Sequence, residues 1–413
     1  MTKKIFMKSI CFGLVFFLLL NIIVTPSTSL TVDEESDKNV ESVSKLEKTT
    51  LFDRYISFLL KLCKLPSISA CSIKDGEVVW ANAYGFADIE NEKEAKVESI
   101  YLVMSISKPV AATALMQLYE QGKFDLDDDV NEILPFSLRN PNYPDTNITY
   151  RMLLAHQSSL ACDEEYPMVE YLIKTIFIGD PNLSSYPYPW LENYLLPGGD
   201  YYTPEVWVKE KPGTNYHYSN VGYGIVGYLV ELHSNQTFND YCVENIFDPL
   251  DMKNSSFLYE DLNNSNISIP YNSEKKTFIP KLKRQPLYSL LFTACANLKT
   301  TPTDLSHFVI AHMNCGKYKD VEILNSSTVG LMQTIQYPEN KKDKYGLGWS
   351  ISKNIMGNKI YGHGGGGPGV RTSLLVNPEK DTAVIYFINS WTWRLTFCQP
   401  LLKNAFFYKA KHP

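Results

Sequence analysis

Strand-like segments stand at the two ends of the folded part of this 413-residue chain and are scarce in its middle. Ile68 to Ile73 and Val78 to Tyr84 are rich in strand-forming residues and flank Asp75-Gly76, a strong hairpin signal. Gly346 to Ser352, Lys359 to Gly362, Val370 to Val376 and Thr382 to Asn389 have the same character near the other end. Between them, from about Phe124 to Leu291, helical pieces alternate with loops. Helices are expected at Phe52 to Cys63, from Ser105 towards Gly122, at Pro302 to Cys315 and at Thr392 to Tyr408. Terminal strands around a helical middle predict one α/β (α+β) sandwich over 51–413, with an inserted helical subdomain at about 124–291. No internal repeat is present.

The helix expected after residue 104 opens with Ser105-Ile106-Ser107-Lys108. Positions i and i+3 lie on one helical face, so hydroxyl and ammonium can meet. A serine hydroxyl is a weak nucleophile and needs a basic partner within hydrogen-bond reach. Four S-x-x-K matches occur, starting at Ser42, Ser105, Ser273 and Ser350, but only Ser105 opens a helix. Pro109 suits its first turn, and Ala111, Ala114, Leu115 and Leu118 recur at helical spacing. Tyr218-Ser219-Asn220 is the one Y-x-N in the chain. A tyrosine relays a proton when nearby cations stabilise its phenolate, and an asparagine holds both a lysine and a substrate amide. His363-Gly364-Gly365-Gly366-Gly367 places glycines where backbone N–H groups can approach a developing oxyanion. A phosphate loop is excluded there, because no G-K-[S/T] follows and the next residues read as a strand.

In order and spacing, these three motifs resemble those of the serine β-lactamase and penicillin-binding protein superfamily. The resemblance is greatest to its class C β-lactamase, D-alanyl-D-alanine carboxypeptidase and esterase branch, where the third motif can carry His in place of Lys. It extends to Ile148-Thr149-Tyr150-Arg151-Met152-Leu153-Leu154-Ala155-His156-Gln157-Ser158-Ser159-Leu160, to the Lys211-Pro212-Gly213-Thr214 approach to Tyr218, to Thr300–Phe308 and to Tyr345-Gly346-Leu347-Gly348-Trp349. Four positions depart from the pattern. Ser159 and the Ala296-Asn297 pair replace usual glycines, and Arg371 stands where a small or aromatic residue is common. The resemblance implies a β-lactamase/transpeptidase-like fold with an antiparallel sheet built from both chain ends. It also implies acyl transfer through a covalent Ser105 ester, with Lys108 or Tyr218 taking the proton and Asn220 orienting lysine and substrate. His363 would stabilise the phenolate or leaving group. Gly364, Gly365 and Gly366 would line the oxyanion and substrate strand, with the N–H groups of Ser105 and Gly366 as the oxyanion donors. Histidine in the lysine's place removes a cation suited to a substrate carboxylate and favours neutral esters or amides. The other readings are a catalytically silent scaffold and a peptidase acting on N-terminal or D-residues. Because histidine ordinarily titrates near neutrality, activity is expected to change between roughly pH 5 and 8.

A net charge of −6 and the lack of a basic stripe argue against a nucleic-acid partner. The expected partner is a small-molecule or peptide substrate. No cofactor is implied, and His307 and His312 are spaced off one helical face, against a metal site. Lys3, Lys4 and Lys8 precede an apolar run from Ile10 to Val24, then small residues, which reads as a secretory signal peptide over 1–29. Membrane attachment follows only if that segment stays uncleaved. Residues 30–50 read as a disordered polar linker. Sequons at Asn147, Asn182, Asn235, Asn254, Asn263, Asn266 and Asn325 fit a secreted glycoprotein. Cleavage would remove Cys11 and leave Cys63, Cys71, Cys162, Cys242, Cys295, Cys315 and Cys398, whose pairing the sequence leaves open. The aromatic, turn-rich Tyr186–Trp190 and Pro197–Tyr202 segments read either as a rim over the substrate cleft or as a packed surface loop.

Overall fold

The sheet joins chain segments more than 250 residues apart. Strands β1 (Ser67–Lys74), β2 (Glu77–Asp88), β3 (Lys93–Glu94), β4 (Ser350–Lys353), β5 (Lys359–Gly367), β6 (Val370–Asn377) and β7 (Thr382–Ile388) form one sheet in the order β4-β5-β6-β7-β1-β2-β3. All its pairings are antiparallel, and β1 meets β7 in a register that sets Ile68 opposite Ile388. This computed structural model describes residues 50–161, 188–273, 281–339, 344–353 and 357–413. The leader 1–29, the linker but for Thr50, Cys162, Asn182 and Tyr186–Pro187 lie outside the described residues.

Successive side chains of a strand point to opposite faces, and β7 divides accordingly. Val384, Tyr386 and Ile388 join the cluster made by α1 (Leu51–Cys63) and α5 (Leu395–Lys411). Ala383, Ile385 and Phe387 face the larger core, which α4 (Pro302–Met313) brings against the sheet. That core also takes in α2 (Ser107–Glu120) and α3 (Asn220–Ser234). Helix α2 is buried from Ser107 through Leu118 on every side, as befits a helix packed all round. Tyr150, Leu153, Leu191, Tyr194, Trp207 and Tyr223, from the helical middle, share one continuous apolar cluster with the sheet face. Thr50–Pro413 is accordingly a single compact unit.

Two elements differ from the sequence reading. Strand β5 does not stop at Gly362 but continues through the glycine run, paired residue for residue up to Gly367 opposite Val370. Glycine lowers strand propensity, but cross-strand pairing and a close neighbour outweigh it here. Pro368 and Gly369, with Gly369 at φ 71°, then close the hairpin with the residues a type II turn requires. The last helix starts at Leu395, because Ser390–Trp391 pair with Tyr271–Asn272 in a small second sheet.

Cys63 at the end of α1 is disulfide-bonded to Cys398 in α5, a sequence separation of 335 residues. Such a bridge removes much of the freedom of the unfolded chain. Cys71, Cys242 and Cys295 are buried thiols, and Cys315 is an exposed one. Replacing Cys63 and Cys398 together by serine is expected to lower unfolding free energy by about 3 kcal/mol, read as a drop in the denaturant midpoint. Dithiothreitol should lower the midpoint of the wild type but not that of the double variant.

Candidate active site

The backbone ahead of Ser105 is held under strain. Met104 has φ 54°, a left-handed conformation unusual for a side chain of its size. Its neighbours pin it. Val103 donates its N–H to Leu298 O at 2.9 Å and its carbonyl accepts from Thr372 Oγ1 at 2.8 Å. Ser107 Oγ donates to Met104 O at 2.7 Å and accepts from Leu298 N–H at 3.0 Å. Ser105 thus sits in a single 3₁₀ turn, Met104–Ile106, one step before α2 begins. It is half-buried, whereas Lys108, three residues on, is wholly buried.

Lys108 Nζ lies 3.0 Å from Ser105 Oγ, and donates to Asn220 Oδ1 at 2.7 Å and to Cys295 O at 3.0 Å. The first contact comes from its own turn. The second comes from the first residue of α3, which Ser219 caps by accepting from Gly222 N–H at 3.2 Å. The third comes from the short helix Thr293–Ala296. There Asn297, one of the departures from the family pattern, clamps the loop through Leu290. Its Oδ1 accepts from Leu290 N–H at 2.7 Å and its Nδ2 donates to Leu290 O at 2.6 Å. Tyr218 completes the group, with its ring centroid 4.8 Å from Lys108 Nζ in cation–π range. The structure therefore brings Ser105, Lys108, Tyr218 and Asn220 together.

His363 stands beside this group, its ring centroid 6.3 Å from that of Tyr218. Its two nitrogens are both engaged. Nδ1 is 2.7 Å from Gly364 O, and Nε2 is 2.8 Å from Tyr345 Oη. A carbonyl only accepts, so Nδ1 carries the proton. Burial holds the Tyr345 phenol well above the usual tyrosine range, so it stays protonated and donates to Nε2. Burial, with the nearby Lys108 charge, pushes His363 down to about 3. This corrects the expectation of a histidine titrating between roughly pH 5 and 8. The ring is a neutral imidazole across that range, because desolvation disfavours its charged form.

Sequence reasoning missed Tyr345 and His156 as parts of this site, although both lie in segments quoted for the resemblance. His156 is buried, with ring centroids 4.4 Å from Tyr218, 5.0 Å from Tyr223 and 4.7 Å from Tyr345. Its Nδ1 accepts from Ser219 N–H at 3.1 Å, which fixes the start of the Tyr218-Ser219-Asn220 turn. Burial, then the charge of Lys108, drives its pKa well below the ordinary histidine value. His156 and Ser159 adopt φ of 58° and 61°. The second explains why glycine is usual there, since left-handed backbone costs other residues about 1–2 kcal/mol. The aromatic, turn-rich segments form a ring stack where they are described. Trp190 lies 4.9 Å from Tyr194 and 5.7 Å from Tyr201, with its edge on Phe292 at 5.2 Å.

The glycines of β5 close the site. A Cβ on Gly365 would fall 2.1 Å from Val103 O and 2.2 Å from Thr372 Oγ1. Only glycine lets this strand lie against the Ser105 turn. Gly364 and Gly366 point the other way, and a Cβ on Gly366 would meet Trp391 Cζ3 at 2.4 Å and Arg371 Nη1 at 2.9 Å. Beyond Gly362 the outer edge of β5 no longer pairs with β4, whose register ends at Ser350.

A profile of the beta-lactamase family matches residues 52–399. The chain belongs to the beta-lactamase family of serine hydrolases. Protein flp of Staphylococcus aureus (strain N315) is 24% identical over 340 residues, 82% of this chain. The chain spans 62% of that relative's length. Among solved structures, the octameric penicillin-binding protein homologue from Pyrococcus abyssi is 26% identical, with TM-score 0.65, over 85% of this chain and 76% of that one. The D-amino acid amidase from Ochrobactrum anthropi SV3, complexed with L-phenylalanine amide, shares the fold at TM-score 0.67 and 20% identity, over 88% of this chain and 99% of that one.

Two outcomes are expected for this family member. Gly365→Ala should leave the far-ultraviolet circular dichroism intact but lower kcat about 100-fold, the usual cost of displacing a reacting group by an ångström. The profile of kcat/KM between about pH 5 and 8 should keep its shape in His363→Gln. A limb seen in wild type and lost in that variant would show that His363 titrates.

Proposed function

We propose that this chain is a secreted serine hydrolase that forms a covalent ester on Ser105, with neutral esters its favoured substrates. The observation that carries the reading is the 3.0 Å contact between a wholly buried Lys108 Nζ and the half-buried Ser105 Oγ. In the neutral amine form, Nζ accepts the Ser105 proton as Oγ attacks the carbonyl carbon. Asn220 Oδ1 and Cys295 O then stabilise the ammonium that results. The tetrahedral oxyanion is received by the N–H groups of Ser105 and Gly366. Collapse of the intermediate breaks the ester C–O bond. The alcohol leaves with a proton returned from Lys108, relayed by Tyr218, whose ring lies beside the ammonium. Water then gives a proton to Lys108 Nζ as it attacks the Ser105 ester, the acyl C–Oγ bond breaks, and that proton passes to Ser105 Oγ as the acid is released.

Substrate preference follows from His363. At this position the ring is neutral, and both nitrogens are committed to Tyr345 and Gly364. It offers no cation to a substrate carboxylate, which supports neutral esters over β-lactams or D-alanyl-D-alanine ends. Export is supported by the leader-like N-terminus, by the Cys63–Cys398 disulfide and by the exposed sequon residues Asn147, Asn235, Asn263 and Asn325.

Hydrolysis of p-nitrophenyl acetate and butyrate tests the reading. Ser105→Ala and Lys108→Met are each expected to lower kcat by at least about 1000-fold. Wild-type turnover no greater than that of Ser105→Ala would favour the silent scaffold. Efficient cleavage of a β-lactam or a D-amino acid amide, with esters ignored, would overturn the ester preference but not the nucleophile.

A further inference from the structure

A second cavity lies on the opposite face of the sheet from Ser105. It has a volume of about 630 Å³, within the range of small-ligand sites. Its floor is the row Arg371, Ser373, Leu375 and Asn377 on β6, which share a face by strand alternation. Its wall is Gln399, Lys403, Phe407 and Lys411, one stripe of α5 at helical spacing of four.

The charges of this cavity have one sign. Lys353, Arg371, Lys380, Lys403 and Lys411 line it, and no Asp or Glu does, in a chain of net charge −6. Among the described residues none of the five forms an ion pair. Glu379 and Asp381 flank Lys380 in the chain but stay outside the lining, and the Glu379 carboxylate accepts from Asn358 Nδ2 and Lys359 N–H. Arg371 is aimed by stacking on Trp391 at 5.3 Å. Burial lowers the pKa of Lys403, the mark of a cation that is partly desolvated.

Leu375 and Phe407 add apolar surface for the body of a bound molecule.

We infer that this outer-face cavity binds a compact organic phosphate ester, a nucleotide or a sugar phosphate. The phosphoryl oxygens sit at the Arg371 end of the groove, where a fork-shaped guanidinium suits a multiply charged anion and Lys403 follows one helical turn after Gln399, which Arg371 Nη2 contacts at 3.5 Å. The body of the molecule packs on Leu375 and Phe407.

Isothermal titration at low ionic strength, with ATP and glucose 6-phosphate as probes and adenosine and glucose as neutral controls, tests this. At least one phosphate should bind with a Kd below about 1 mM, weakening as salt is raised, while its neutral control does not bind. Lys380→Glu combined with Lys403→Glu should weaken binding at least about tenfold at unchanged melting temperature and unchanged ester hydrolysis. Ser105→Ala should bind as wild type does. The inference is overturned by no heat from either phosphate up to about 10 mM. Equal affinity in the double-charge variant overturns it as well, and so does loss of binding in Ser105→Ala, which would assign the anion to the hydrolytic site. A binding defect with esterase activity intact distinguishes failure here from failure of the serine hydrolase reading.

Discussion

A buried lysine nitrogen that carries an extra proton during the proposed cycle sets the terms for everything around it. Burying an unpaired charge costs on the order of several kcal/mol. Lys108 escapes that penalty only because three parts of the chain bring oxygen atoms to its Nζ: its own helical turn, the start of α3 and the 293–296 helix. Each of those parts is then held in turn. Ser219 and His156 fix the start of α3, and Asn297 fixes the loop that presents Cys295. Failure at any of these supports leaves a buried cation short of an acceptor, so the polar centre and the apolar core are stabilised or lost together.

Much of this was legible in the sequence, and the reason is chemical. Serine, lysine, tyrosine and asparagine at 105, 108, 218 and 220 announce themselves by residue type and spacing, and the strand signals at both ends foretell one sheet. The protonation of His363 was not legible. It depends on Tyr345, whose hydroxyl meets Nε2 from another segment, and on burial, which no spacing encodes. The extension of β5 was hidden for a related reason. Glycine argues against a strand locally, yet at 365 only glycine fits between Val103 and Thr372. Ser159 shows the reverse case, a backbone preference for glycine that the chain declines. Its hydroxyl accepts from the buried Asn140 Nδ2 at 3.0 Å, a contact glycine could not make and a partial offset to the left-handed backbone. The Cys63–Cys398 pairing could not be read from a count of thiols, since it requires knowing that α1 and α5 share one face of the sheet.

Strand β6 lies between the two polar regions of the molecule. Thr372 points to one face and binds Val103 O beside the nucleophile turn. Its neighbours Arg371 and Ser373 point to the other and line the basic cavity. Alternation along a single strand thus places the Ser105 turn and the basic cavity back to back. Arg371 is also the cross-strand partner of Gly366. An arginine at a position usually small or aromatic is therefore accounted for on the outer face, where it has room and a ring to stack on, and not by contact with the reacting serine.

The third motif shows how a superfamily site changes its chemistry without losing its shape. A lysine there would keep a cation beside the substrate. A histidine with Nδ1 bound to Gly364 O and Nε2 bound to Tyr345 contributes a rigid neutral plate instead. Its hydrogen bonds tie β5 to the Tyr345 segment, and its neutrality avoids a second positive charge close to Lys108. That matters for the first step, because a neighbouring cation would favour the amine form of Lys108 but would also draw anionic substrates. Without it, the charge that develops on the carbonyl oxygen must be met by fixed backbone donors, whose strength is independent of pH.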